Sequence, residues 1–166
     1  GNHKHAKQLL NQAIEIDDLL SEAYNNLGII AIIENDYETA STMFKQAKEL
    51  GLKSLCITGH GSLADMYDFY FLCKEEGIQP IIGAEIYLTP DMNDKTKDSL
   101  TYHMILIAKN NIGLKNLINI VSTASLEGFY KKPRIDLNYI SQYNEGLICL
   151  TACVAGQLPQ LILNND

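Results

Sequence analysis

The spacing of apolar residues changes once along the chain, close to Gly51. Before that point apolar positions recur every three or four residues, as one face of a helix requires: Leu10 and Ala13, then Leu27 and the run from Ile29 to Ile33, then Ala40, Phe44, Ala47 and Leu50. This spacing predicts helices over 3–17, 21–35 and 37–50. Asn35-Asp36 forms the turn between the last two, and the Asp36 carboxylate is placed to accept the free backbone amides of the helix that starts at Tyr37. After Gly51, short apolar runs alternate with helical spacing, which predicts strands at 54–58, 80–88, 102–108 and 146–151 and helices at 62–76 and 111–126. Strands that are apolar on both faces and separated by helices imply a mostly parallel sheet covered on both sides, so the fold class is α/β. Four strands are too few to close a barrel.

The helical part also has an internal period of about 34 residues. With Ser21 as its first position, Tyr24, Leu27, Gly28, Ala40, Phe44 and Ala47 fall where a tetratricopeptide (TPR) repeat places its large, small and aromatic packing residues. Shifting back by one period puts Ala6 under Ala40, Leu10 under Phe44 and Ala13 under Ala47, so the chain opens in the second helix of a preceding repeat. Residues 1–50 thus resemble one and a half TPR units, a helical hairpin joined to the α/β part at 51–166, with the helix 37–50 shared by both. That helix is expected to pack on the helix 21–35 and on the strand 54–58. The run Ile29 to Ile33 is more apolar than one hairpin can hide, and the following part of the chain is expected to cover it.

At 166 residues the chain can hold one good core or two small ones. Its formal charge of -7 and pI near 5.0 argue against direct nucleic-acid binding by this piece, because phosphate affinity comes from clustered Lys and Arg. Four scattered Cys without paired spacing, and no signal peptide or membrane span, indicate a cytoplasmic protein.

Several motifs in the α/β part share an order. They are Ala47-Lys48-Glu49-Leu50-Gly51, Gly59-His60-Gly61, the stretch from Gly77 to Tyr87, Tyr102-His103, the stretch from Leu126 to Asp136, and Cys153-Val154-Ala155-Gly156. Together they resemble the polymerase and histidinol phosphatase (PHP) domain of the bacterial DNA polymerase III alpha subunit over about residues 42–163. The resemblance implies a partial, distorted βα barrel whose strand ends bind metal, and it offers His60, Glu85, His103 and Cys153 as ligands for one Zn or Mn ion. Arg134, in the basic knot Lys131-Lys132-Pro133-Arg134, is the anion-binding candidate. Bland alternatives stand beside each. His60 between two glycines also fits a tight turn, His103 a satisfied core histidine, Cys153 a small buried hydrophobe and Arg134 a solvated loop. Glu85 in an apolar strand is harder to dismiss, since a carboxylate is rarely buried without a partner.

The chain also departs from the pattern. The family's opening strand with its His-x-His pair is replaced by repeat sequence, and the family's Asp-His-Gly turn reads Gly59-His60-Gly61. The strand with the Asp-x-His pair does not occur before Asp166. His3 and His5 have the spacing of the missing pair, but side chains two apart on a helix diverge.

Three readings of function follow. The first is a PHP piece of a replicative DNA polymerase polypeptide, structural and without catalysis of its own, the polymerase activity belonging to a parent protein; a remnant metal-dependent phosphoesterase is its active variant. The second is a TPR-type peptide-binding adaptor on a PHP-derived scaffold. The third is an experimental or evolutionary chimera joined within the helix 37–50. The partners expected are a protein on the TPR surface or at an exposed sheet edge, a second copy of the chain included, with no nucleic acid bound directly and no membrane.

Overall fold

A computed structural model describes residues 3–96 and 100–164. Its helices are α1 (His3–Ile16), α2 (Ser21–Ile33), α3 (Tyr37–Glu49), α4 (Met66–Glu75), α5 (Asn111–Leu126), α6 (Leu137–Gln142) and α7 (Gln157–Leu163). Its strands are β1 (Ser54–His60), β2 (Gln79–Leu88), β3 (Tyr102–Ala108), β4 (Arg134–Ile135) and β5 (Leu147–Leu150). The chain forms two compact units. One runs to Ile57 and includes Asp65–Ile81; the other comprises Thr58–Ala64 and the chain from Ile82 onward. β1 and β2 each begin in the first unit and end in the second.

In the first unit, α2 and α3 form the helical hairpin and α3 carries its apolar stripe inward. Ala40, Phe44 and Ala47 are all fully buried. Phe44 meets Phe69 of α4 edge-on, with ring centroids 5.9 Å apart. Gly28 of α2 lies directly against the Phe44 ring, where a Cβ would come within 2.5 Å of Cε1, so the crossing tolerates no side chain there. Asp36 accepts a hydrogen bond from the Thr39 amide at 3.1 Å, the cap expected from the sequence. That bond holds its carboxyl below the usual carboxylate range. Besides α2, α3 packs on α4. Tyr37 donates to Asp68 at 3.0 Å, Ser41 donates to the Glu76 carboxylate, and Lys48 donates to the Glu76 carbonyl, so polar contacts tie α3 to α4 and its C-terminal end. In the run expected to be covered, Ala31 and Ile32 are buried while Ile33 stays exposed. α4 starts at Met66, later than the spacing predicts, because Ser62 turns the chain by accepting from the Ala64 amide at 3.0 Å.

The sheet has the order β1-β2-β3-β5, with β4 also joined to β2. It is mixed. β4 runs parallel to β2, pairing Tyr87 with Arg134, while β3 runs antiparallel to both β2 and β5. The parallel bias expected from doubly apolar strands is tempered by the β2–β3 connection, whose described residues hold no helix, so the chain returns alongside itself without a crossover. α5 keeps the predicted bounds. Asn110 caps it by accepting from the Gly113 amide at 2.9 Å, and Leu117, Ile120, Val121 and Ala124 turn inward. β4, α6 and α7 are elements that the spacing does not predict. Among the described residues, no helix is long and apolar enough to cross a membrane.

Candidate functional site

β1 ends at His60 and turns sharply. Gly61 has φ +63°, and a Cβ there would lie 2.6 Å from Pro133 Cγ and 3.1 Å from Tyr87 Cε2, so the position requires glycine. The Gly61 amide donates to the Glu85 carbonyl at 2.8 Å, which sets the His60 turn beside β2. Gly59 is closed in a different way: a Cβ would meet the Ser62 carbonyl oxygen at 2.6 Å.

Strand register does the rest. Glu85 pairs with Ile105 and Tyr87 with His103, so alternation puts Glu85, Tyr87 and His103 on one face, with Glu85 and His103 as diagonal neighbours. The His103 amide donates to the Ala155 carbonyl at 2.9 Å, and an isolated bridge pairs His103 with Gly156. These contacts draw the segment after β5, with Cys153, against the histidine.

The four expected ligands are therefore brought together. His60 Nε2 lies 3.5 Å and His103 Nδ1 3.2 Å from Glu85 Oε1, and Cys153 Sγ lies 3.7 Å from His103 Nδ1. Oε1 is buried, yet neither imidazole approach is aligned as a hydrogen bond, which leaves the oxygen without a satisfied partner. Imidazole, carboxylate and thiol are the ligand types of a Zn or Mn site, and separations of this size are those between neighbouring ligands of one ion. The arrangement is a chain from His60 through Glu85 and His103 to Cys153 rather than a closed shell. Among the described residues no group of three or more His, Cys, Asp or Glu side chains is placed to hold an ion as it stands. His60 is largely exposed while Glu85 is not, so closing the shell falls to the histidine.

Two of these residues lie in surroundings the sequence did not favour. Cys153 is exposed rather than packed as a small hydrophobe, because it follows the short edge strand β5 instead of lying within it. Arg134, the anion-binding candidate, is buried in β4 and not in a solvated loop. Its Nε donates to the Gly128 carbonyl at 3.3 Å, its Nη2 to the Asp94 carbonyl at 2.8 Å, and its guanidinium lies 5.2 Å from the Tyr130 ring centroid.

Sequence reasoning missed two residues at this rim. The Tyr87 ring meets His103 edge-on at 5.4 Å, and Lys132 Nζ sits 4.5 Å from the centroid of the same ring. For Tyr87 the signal was available, since it lies two positions beyond Glu85 on the same strand face.

Comparison with known proteins matches residues 37–166 to the PHP domain and residues 21–50 to the tetratricopeptide repeat. The DNA polymerase III subunit alpha of Borreliella burgdorferi is 43% identical over 129 residues, which cover 75% of this chain and 11% of that protein. The subunit of Aquifex aeolicus is 41% identical over 164 residues, covering 93% of this chain and 12% of that protein. That coverage necessarily takes in part of the repeat helices. The Helicobacter pylori subunit (strain 26695) is 43% identical over 123 residues, covering 74% of this chain and 10% of that protein. The chain thus spans about a tenth of the length of the curated relatives it matches.

Proposed function

The chain belongs to the PHP domain family, and on that premise we propose that it is a structural PHP unit of a replicative polymerase polypeptide, retaining a remnant site for one Zn or Mn ion at His60, Glu85, His103 and Cys153. The observation that supports this reading is the Glu85 carboxylate, whose buried Oε1 is approached by two imidazole nitrogens and satisfied by neither. A buried carboxylate oxygen is stabilised by a positive partner, whether a protonated imidazole or a metal ion. When bound, an ion there supplies a Lewis acid able to polarise a phosphoryl oxygen. Glu85 would provide the negative charge, His103 is held by its backbone bond to Ala155, and the exposed His60 and Cys153 would supply the remaining donors.

The same geometry speaks against multinuclear hydrolysis. Two-metal phosphoryl chemistry needs ions about 3.5–4 Å apart held by several carboxylates. Here Glu85 is the one carboxylate in the chain of contacts, and the turn position where the family carries Asp is Gly59.

Elemental analysis after dialysis tests the ion. The expected result is about one Zn or Mn per chain, lost in the His60→Ala, His103→Ala double variant; equal metal in both proteins places the ion elsewhere and sinks the reading. The chain is expected to leave a chromogenic phosphodiester intact with either metal. Metal-stimulated hydrolysis abolished by His103→Ala would show instead an active phosphoesterase.

A further inference from the structure

α4 buries one stripe and leaves another bare. Phe69 and Cys73 turn inward, while Tyr67, Tyr70 and Phe71 remain 66%, 40% and 45% exposed. The three rings form one cluster. Tyr67 and Phe71 are tilted against each other with centroids 4.6 Å apart, and Tyr70 meets Phe71 edge-on at 5.4 Å. Single exposed apolar side chains are ordinary on a protein surface, but a contiguous patch of rings marks an interaction site. Phe71 has no polar atom for water to satisfy.

The charge around the rings is one-sided. Between Asp65 and Glu76 the chain carries four carboxylates and a single ammonium, that of Lys74. Lys74 Nζ lies 6.0 Å from the Tyr70 centroid, so that ring already faces a cation of its own chain. Among the described residues no cation lies over Tyr67 or Phe71. Asp68 stands three residues before Phe71 and Glu75 four after it, so both share its helix face. The Tyr37 hydroxyl donates to Asp68 Oδ2 at 3.0 Å and holds that carboxylate in place. The exposed Glu75 has no hydrogen bond or ion pair among the described residues.

We propose that this face of α4 docks an arginine-bearing segment of a partner protein. A guanidinium is flat and weakly hydrated, so it stacks on Tyr67 or Phe71 while its edge N–H groups donate to Asp68 or Glu75. A lysine ammonium is a compact, strongly hydrated point charge and fits the combination less well. Nucleic acid would bring its phosphates against the carboxylates as like charge. Tyrosine and arginine are also the residue types that dominate binding energy at protein interfaces.

The test titrates the full chain, by fluorescence anisotropy, into a labelled peptide with two arginines in a glycine-serine frame. The same peptide with two lysines, the same with two citrullines, and a labelled oligothymidylate serve as comparisons. The arginine peptide is expected to bind several-fold more tightly than the lysine peptide, with no binding of the citrulline peptide or the oligonucleotide. Phe71→Ala should weaken the arginine peptide roughly tenfold, the loss of one desolvated cation–ring contact, and Glu75→Gln by a smaller factor, both at unchanged melting temperature. Phe71→Leu keeps the apolar bulk and removes the ring face, so it should weaken binding too and decides the matter if the alanine variant folds poorly. A wild type that ignores the arginine peptide, or that binds the lysine peptide equally well, overturns the proposal. So does undiminished binding by Phe71→Leu, which would leave only diffuse attraction to an acidic chain. Binding of the oligonucleotide that is lost in Phe71→Leu would assign the face to nucleic acid and overturn it as well.

Discussion

Single residues in this chain are constrained more by what surrounds them than by their own chemistry. Phe44 is fully buried between Gly28 and Phe69, and Phe44→Ala should cost about 3–5 kcal/mol in denaturant melts. A loss below about 1 kcal/mol would mean that α3 gains nothing from α2 and α4. The cysteines sort by environment in the same way. Burial pushes the Cys73 thiol up to about 12, and it also raises Cys56 and Cys149. With an aromatic disulfide reagent at pH 8, the exposed Cys153 should react first and Cys73 only on unfolding; early labelling of Cys73 would contradict its burial. Because the folded state holds the Cys73 proton above the pH at which the unfolded chain releases it, this thiol's contribution to stability is complete below about pH 9 and declines toward pH 12. Cys73→Ala should flatten that part of the profile. Gly59→Asp restores the family's carboxylate in sequence only. Its Cβ meets the Ser62 carbonyl, so the variant should lose roughly 1–3 kcal/mol and gain no metal. A rise in bound metal would show that the turn opens freely.

At the scale of elements, long periodic segments were legible and short ones were not. α5 begins and ends where the spacing of Leu117, Ile120, Val121 and Ala124 says it should, because a sixteen-residue amphipathic helix with a capping Asn110 carries its signal many times over. β4 has two residues and α6 six, too few for any period to register. The cue for α6 was local: Asp136 accepts from the Tyr139 amide at 2.9 Å, the cap that an Asp before Leu137 could have announced. The candidate residues were legible through the family motif, yet the way they meet was not. Glu85 and His103 meet through the antiparallel β2–β3 register, across a connection whose described residues hold no helix, which apolar patterning alone does not reveal. Arg134 misled for a similar reason, since a basic run reads as solvated until a strand pairs with one of its members.

For the whole molecule, the sheet's far edge bears on assembly. β5 has β3 on one side, and its Ile148 and Leu150 remain nearly half exposed. A short uncharged strand of this kind tends to pair with another chain. Light scattering at rising concentration should therefore show a dimer that Ile148→Lys suppresses, whereas a monomer throughout would refute edge pairing. The Gly59 turn bears on a longer timescale. Glycine and aspartate codons can differ by one base, so a lineage that lost the carboxylate would have a short genetic route back. In this chain the Ser62 carbonyl stands where an Asp Cβ would have to be, so the reversion passes through a less stable protein before any benefit accrues. Loss of that carboxylate would then work as a ratchet, easy to enter and costly to undo, with the Ser62 carbonyl as its pawl.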